Sequence, residues 1–167
     1  MKKNRTIYFS VLTLLVLLLN FGQSYAQHTF QSVLSEHTWY KMAVVQEGIY
    51  KLDYATLSAM DIDMGRLNPS QIRIFGNPSG ALPEKNSETR PDDLTEMALY
   101  VSGAEDGVFD LDDYVLFYGQ EPTRWKLLQS GGKVYERNRN YYSDSTFYYL
   151  CVDSGEDGLR IGSKPSA

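Results

Sequence analysis

The sequence has 167 residues, and its 21 acidic residues against 16 lysines and arginines give a formal net charge of −5. This length fits one domain, and the acidic balance argues against nucleic acid as a partner because like charges repel. We also expect no basic patch with interleaved aromatic residues. The one cysteine, Cys151, excludes an intrachain disulfide. Packing must therefore stabilise the fold, and 13 Tyr, 7 Phe and 2 Trp supply apolar area for it.

Residues 1–26 have the three parts of a signal peptide. Three basic residues precede an apolar run at 7–19, and the small residues Ser24 and Ala26 follow it. The run is shorter than the roughly 20 residues that span a bilayer. We predict cleavage after Ala26 and a mature start at Gln27, and an uncleaved N-terminal anchor is the alternative. Cleavage would leave 13 basic residues (16 − 3) against 21 acidic ones, a net charge of −8.

Apolar and polar residues alternate with a period of two along the remaining chain, which predicts strands with one buried face. The predicted strands are residues 39–45, 49–53, 71–75, 96–102, 113–118 and 146–153. One short helix is predicted at 53–60 with Asp53 as its N-cap, and 79–94 is a long polar loop. This pattern indicates a mainly β fold, either a β-sandwich or a small barrel-like β domain with one or two short helices.

Three features predict how the strands connect and pair. Residues 46–48 separate the first two strands and predict a hairpin in which Gly48 takes a positive φ. Residues 146–153 are apolar on both faces, which is typical of a central strand covered on both sides. The Asp-Gly dipeptides that end at Gly107 and Gly158 predict two further tight turns.

Five carboxylates precede the aromatic strand at 113–118. They are Glu105, Asp106, Asp110, Asp112 and Asp113. An EF-hand is excluded, because placing Gly107 at the sixth loop position puts Ser102 and Ala104 where ligands belong. We favour two consecutive turns. A calcium loop of another type remains the alternative, with ligands from Asp106, Asp110, Asp112 and Asp113. No other cofactor is expected, and no acid lies in an apolar stretch that would suit acid–base catalysis.

Nucleophilic catalysis through Cys151 would require a nearby imidazole. The two histidines are His28 and His37, and a Cys151–His37 dyad is the candidate arrangement. Cys151 lies in mid-strand between Leu150 and Val152, where a free cysteine is typically a small buried hydrophobe. The sequence therefore predicts no catalytic residue in this chain.

Six sequence blocks stand in a fixed order over about residues 32–161. They are WYK (39–41) with EGIYKL (47–52), PSQIRIFG (69–76), LPE (82–84), RPDDL (90–94), EDGVFD (105–110) with DYVLFYG (113–119), and NYYSD (140–144). In this order they resemble the N-terminal region of the PorU-type sortases of the type IX secretion system. These sortases are similar to gingipain cysteine peptidases.

The resemblance implies an N-terminal β domain at residues 27–161, followed from 162–167 by a linker or truncation point. A caspase-like domain with a His–Cys pair would come next, so no catalytic residue of the family maps onto these 167 residues. The full enzyme would cut C-terminal sorting domains from exported cargo and attach the cargo to surface lipopolysaccharide. The implied partners are the downstream catalytic domain, the barrel protein PorV and the cargo. The implied location is the outer-membrane surface of a Bacteroidetes-type bacterium.

A non-catalytic surface module that binds glycans or an envelope protein is the alternative function. Trp39, Trp125 and exposed tyrosines would then form aromatic binding platforms. In the first interpretation most of these aromatic side chains belong to the core.

Overall fold

The computed structural model describes residues 31–77, 80–85, 87–130 and 132–162. The predicted signal peptide, residues 1–26, lies outside these ranges and stays a prediction. Residues 27–30 of the predicted domain and residues 163–167 of the predicted linker also lie outside the described ranges. Among the residues that the structure describes, no helix combines the length and the apolar character needed to cross a membrane.

The described chain is mainly β, as predicted. The strands are β1 (Tyr40–Val44), β2 (Gly48–Asp53), β3 (Arg73–Gly76), β4 (Thr95–Met97), β5 (Tyr100–Ser102), β6 (Tyr114–Gly119), β7 (Arg124–Ser130), β8 (Gly132–Asn138) and β9 (Thr146–Cys151). One α-helix, α1 (Tyr54–Ala59), occurs in the described ranges. Short 3₁₀ helices occupy Val33–Ser35, Pro69–Gln71 and Ala104–Asp106.

Two antiparallel sheets share one hydrophobic core. One sheet has the strand order β1-β9-β3-β4, and the other has the order β2-β6-β5. Side chains from the inner faces of both sheets meet between them. They include Met42, Val44, Leu52, Ile74, Val115, Phe117, Tyr148 and Leu150. Neither sheet closes into a barrel in the described part of the chain. Of the two predicted forms, a β-sandwich or a small barrel-like domain, the structure therefore adopts the β-sandwich.

The predicted hairpin at residues 46–48 is wrong. β1 pairs with β9 and β2 pairs with β6, so the three-residue link crosses from one sheet to the other. Val44 and Leu52 are both buried, on opposite sides of the core. A hairpin and a crossing give the same period-two pattern, because the pattern records burial and not the pairing partner. Gly48 is also absent from the positive-φ glycines of the described chain.

The predicted strand at 96–102 is two strands that belong to different sheets. β4 pairs with β3, whereas β5 pairs with β6. Leu99, which is fully buried, lies at the crossing between them. Its N–H donates to the carbonyl oxygen of Leu159 at 2.9 Å, and the N–H of Ile161 donates to its carbonyl oxygen at 2.8 Å. The C-terminal segment thus joins the sandwich in parallel at this point.

The helix and the central strand are where the sequence predicts them. α1 follows Asp53, whose carboxylate accepts hydrogen bonds from the backbone N–H and the hydroxyl of Thr56 at 3.0 and 2.7 Å. Its Leu57 is fully buried. β9 lies between β1 and β3, with Tyr148 on its inner face, whereas Phe147 on its outer face is 39% exposed. The prediction that both faces of this strand are covered therefore holds for the inner face but not for Phe147 on the outer face.

The sequence analysis missed the β7–β8 hairpin, residues 124–138. Its two strands pair in register over seven positions and form a separate two-stranded sheet. The described side chains from Trp125 to Asn138 are all exposed. Period-two analysis detects strands by their buried face, so it could not detect this hairpin.

Candidate functional site

The acidic loop between β5 and β6 uses two of its carboxylates to hold backbone turns. The Asp106 carboxylate accepts a hydrogen bond from the N–H of Val108 at 3.0 Å. The Asp113 carboxylate accepts from the N–H of Asp110 at 2.8 Å, and the Asp113 N–H donates back to the Asp110 carbonyl oxygen at 3.1 Å. The Asp106 contact is an Asx-type turn, whereas the reciprocal pair is a β-turn from Asp110 to Asp113 that the Asp113 side chain closes. The prediction that two consecutive turns precede the strand is confirmed.

Gly103 is required at the start of this loop. It has a φ of +81°, and a Cβ built on it would lie 1.6 Å from an oxygen of the Asp113 carboxylate. The loop therefore packs that carboxylate directly against the glycine backbone. Gly107 has a φ of +79°, so the predicted left-handed glycine in the first Asp-Gly turn is confirmed. In the second turn, Gly155 takes the positive φ instead of Gly158.

The two other proposed calcium ligands, Asp110 and Asp112, are exposed on the loop. Phe109, only 1% exposed, anchors the loop in the core. Among the described residues, no three His, Cys, Asp or Glu side chains gather in a geometry that could hold a metal ion. Asp106 and Asp113 therefore have a structural role that needs no ion, and calcium binding stays a prediction.

Cys151 and His37 lie beside the same carboxylate, that of Asp153. The Cys151 thiol donates to an Asp153 oxygen at 3.3 Å, and Nδ1 of His37 lies 3.9 Å from that oxygen. Cys151 is 1% exposed, and burial raises the pKa of its thiol. The thiol is therefore protonated at neutral pH, whereas catalysis requires the thiolate. This is the environment of a structural cysteine, and no sequence pattern indicates the part that Asp153 has in it.

Asp153 holds the chain on both sides of this cluster. It accepts hydrogen bonds from the N–H of Thr38 at 3.1 and 3.3 Å. Burial alone would raise the pKa of Asp153, but the hydrogen bonds from Thr38 and Cys151 outweigh burial and lower it. The carboxylate therefore stays ionised and joins the segment before β1 to the end of β9.

Arg73 closes one side of a cleft of about 320 Å³ on the outer face of the four-stranded sheet. Its guanidinium pairs with Glu96 at 2.7 Å and with Glu156 at 2.6 Å, and it lies 4.9 Å from the ring centre of Phe75. The hydrogen bond to Glu96 is the main reason that the pKa of Arg73 is raised. Burial would raise the pKa of Glu96, but its bonds to Arg73 and to the Leu159 N–H lower it.

A second arginine attaches the C-terminal segment, and sequence analysis missed it. Arg160 donates hydrogen bonds to the carbonyl oxygens of Pro69, Ser70 and Ile72 at 2.9, 2.6 and 3.1 Å. Arg160 is the single basic residue between positions 140 and 162. This isolation was the one feature of the sequence that could have indicated a structural role for it. These contacts attach the C-terminal segment to the residues just before β3.

The outer face of the three-stranded sheet is the surface best suited to an interaction. Ile49 is 74% exposed, Tyr100 is 46% exposed and Tyr118 is 43% exposed. Tyr114 lies at the opposite end of β6 from Tyr118. Its ring centre is 6.3 Å from that of Tyr100 and 4.9 Å from the Lys51 ammonium. We call this surface the open face. Contiguous apolar surface of this kind typically marks a contact with another protein or domain.

One of three comparisons with known proteins gives a match. No protein-family model matches the sequence, and no curated protein matches it. The fold is similar to the crystal structure of dimeric latent PorU from Porphyromonas gingivalis, with a TM-score of 0.59 and 26% sequence identity. The match covers 80% of this chain and 11% of that chain. It supports a PorU-like relationship at the level of one domain.

Proposed function

We propose that this chain is the N-terminal, non-catalytic β domain of a PorU-like sortase of the type IX secretion system. The observation that carries the proposal is the structural match to PorU over 80% of the chain. The six ordered sequence blocks agree with it. The hydrogen-bonded, protonated Cys151 thiol is consistent with a domain that does no peptide chemistry itself.

The reaction would belong to the longer protein, since this chain corresponds to 11% of the PorU chain that it matches. In the proposed reaction, a thiolate of a downstream domain attacks the peptide carbonyl before the sorting domain of the cargo. The peptide bond breaks, and the sorting domain leaves with a new, protonated N-terminal amine. The resulting thioester is resolved by an amine on lipopolysaccharide in place of water. Export by residues 1–26, an outer-membrane location and the barrel partner PorV are parts of the same proposal.

We assign the open face to the contact with the downstream catalytic domain. Its exposed apolar side chains would be covered when the rest of the longer protein is present. Ile49→Asp should then make the junction of the full-length protein more sensitive to limited proteolysis. Leu111→Asp is the matched control, because Leu111 is 78% exposed but lies on the acidic loop. Equal protease sensitivity of the two variants would contradict this assignment.

The reading frame beyond codon 167 tests the proposed identity. The proposal predicts that it encodes a caspase-like domain with a histidine and a cysteine in gingipain-like sequence contexts. A frame that continued into a domain of another class would overturn the proposal.

Binding of glycans or of an envelope protein is the second candidate function, and the exposed aromatic side chains favour it. Trp125 is 64% exposed, and Tyr141 and Tyr142 are 84% and 86% exposed. Exposed aromatic rings of this kind can stack on sugar faces or pack into protein pockets. A glycan array probed with the full chain tests this candidate. Specific saccharide binding that is lost in Trp125→Ala would favour it over the sortase domain.

A further inference from the structure

The charges of this chain are divided unevenly between the sandwich and the β7–β8 hairpin. Residues 31–123 contain 6 basic and 16 acidic residues, a net charge of −10 (6 − 16). Residues 124–139 contain 5 basic residues and 1 acidic residue, a net charge of +4 (5 − 1). Aromatic residues alternate with these charges at Trp125 and Tyr135. The expectation that the sequence holds no basic patch with interleaved aromatics is therefore wrong.

The hairpin holds this positive charge on a sheet of its own. Its strands are seven residues long, which corresponds to about 20–24 Å at roughly 3.3 Å per residue. The hairpin forms its own sheet, and Arg137 and Arg139 are exposed on it. At physiological ionic strength, interactions between exposed charges are screened beyond about 8 Å. At the base of the hairpin, Arg137 and Arg139 line one cleft with Glu121 and Asp144. With these two carboxylates included, residues 121–144 still carry a net charge of +2 (5 − 3).

Apolar side chains are exposed on both faces of the hairpin. Leu127 lies opposite Tyr135 on the face that also carries Trp125, and these side chains are 46%, 59% and 64% exposed. Val134 lies on the other face and is 54% exposed. A globular partner would cover one face of a two-stranded ribbon. A lipid interface would surround both faces.

We propose that the β7–β8 hairpin binds the surface of an anionic lipid membrane. Trp125, Leu127, Val134 and Tyr135 would enter the interface, where aromatic and aliphatic side chains are favoured. Arg137 and Arg139 would contact anionic headgroups, and each basic residue near such a surface strengthens binding about fivefold. This inference rests on the hairpin alone and does not depend on the proposed function.

The geometry limits how deeply the hairpin can enter. A two-stranded ribbon has two outer edges whose N–H and C=O groups are not paired within it. Such groups need water or headgroup partners, so they cannot lie in the hydrocarbon region. The hairpin must therefore lie within the headgroup layer and not cross the membrane.

Tryptophan fluorescence of the full chain tests the proposal directly. The chain has two tryptophans, so Trp39→Phe leaves Trp125 as the only one. Vesicles of phosphatidylglycerol and phosphatidylcholine should move its emission to shorter wavelength and allow quenching by lipids brominated near the headgroup. Vesicles of phosphatidylcholine alone should produce neither effect. The apolar run at 7–19 binds lipid of either charge, so an effect on anionic vesicles that is absent on phosphatidylcholine reports a charge-dependent contact.

Charge variants in the same background separate the hairpin from general electrostatics. Arg137→Gln with Arg139→Gln should lower the partition coefficient on anionic vesicles about 25-fold, fivefold for each arginine. Arg66→Gln with Lys85→Gln changes the net charge equally at two exposed positions of the sandwich and should leave partitioning nearly unchanged.

Three results would overturn the proposal. The first is an unchanged Trp125 emission on anionic vesicles. The second is an equal loss of partitioning in the two double variants. The third is a shift with polyglutamate or duplex DNA but not with vesicles, which would identify an acidic protein or nucleic acid as the partner.

Discussion

At the scale of single residues, the acidic loop depends on the contact between Gly103 and the Asp113 carboxylate. Gly103→Ala should destabilise the fold by about 2–4 kcal/mol, because it combines a left-handed residue with the displacement of a hydrogen-bonded carboxylate. Gly107→Ala is the matched control, since Gly107 has a similar φ and a Cβ added to it would meet no atom within 4 Å. It should cost only about 1–2 kcal/mol. Equal losses in urea denaturation would contradict the proposed contact.

The turn interpretation also predicts the response to calcium. Because Asp106 and Asp113 already accept backbone hydrogen bonds, the thermal unfolding midpoint should be the same in calcium and in EDTA. An ion that binds only the native state must raise the midpoint. A higher midpoint in calcium, lost in Asp112→Asn, would restore the calcium loop.

Glu96 predicts part of the pH dependence of stability. Its pKa in the folded chain lies below the ordinary value of 4.5, since the bonds to Arg73 and Leu159 outweigh the effect of burial. The unfolded chain therefore binds a proton first as the pH falls. The stabilisation is complete above about pH 5 and is lost as the pH falls through the lowered pKa.

Glu96→Gln should flatten this loss when the free energy of unfolding is measured by urea denaturation between about pH 6 and pH 2. Glu105→Gln removes the same charge at an exposed position and should leave the slope unchanged. If the unfolding free energy of Glu96→Gln depended on pH as steeply as that of the unsubstituted chain, the ion pair of Glu96 with Arg73 would not contribute to the pH dependence of stability.

At the scale of elements, the sequence determines which residues are buried better than it determines which strands pair. Period-two alternation identified β1, β2, β3, β6 and β9 and the inward faces of Val44 and Leu52. It could not show that the chain changes sheet at residues 45–47 and at Leu99, because both are tertiary events. The hairpin was missed because its described side chains from Trp125 to Asn138 are all exposed. The sequence offers Cys151 and His37 as a candidate pair that the mid-strand position of Cys151 argues against. Only the fold shows that Asp153 lies beside both of them.

The difference between the sandwich and the hairpin predicts different costs for the same substitution. Leu57→Ala removes a fully buried side chain and should cost about 2–5 kcal/mol of unfolding free energy. Leu127→Ala removes a half-exposed side chain on the hairpin and should cost less than about 0.5 kcal/mol. Urea denaturation of both variants measures the difference. Similar costs would mean that the hairpin packs on the sandwich in solution.

At the scale of the whole molecule, two packed sheets support three surfaces with different chemistry. The loop between β5 and β6 is acidic, the open face presents exposed aromatic and aliphatic side chains, and the β7–β8 hairpin is basic. The ion pairs of Arg73 and the hydrogen bonds of Arg160 hold the segment at 156–161 against the sandwich. Under the proposed function, these contacts would fix the direction in which the chain leaves the sandwich.

Peptide mapping of the native protein, captured from its own cells with an antibody against residues 31–162, tests the central claim most directly. The account predicts a mature N-terminus at Gln27 and a polypeptide several times larger than the 19.0 kDa of this chain. Its peptides should continue into a gingipain-like cysteine peptidase domain. A native protein that carried this domain without any peptidase sequence would contradict the account.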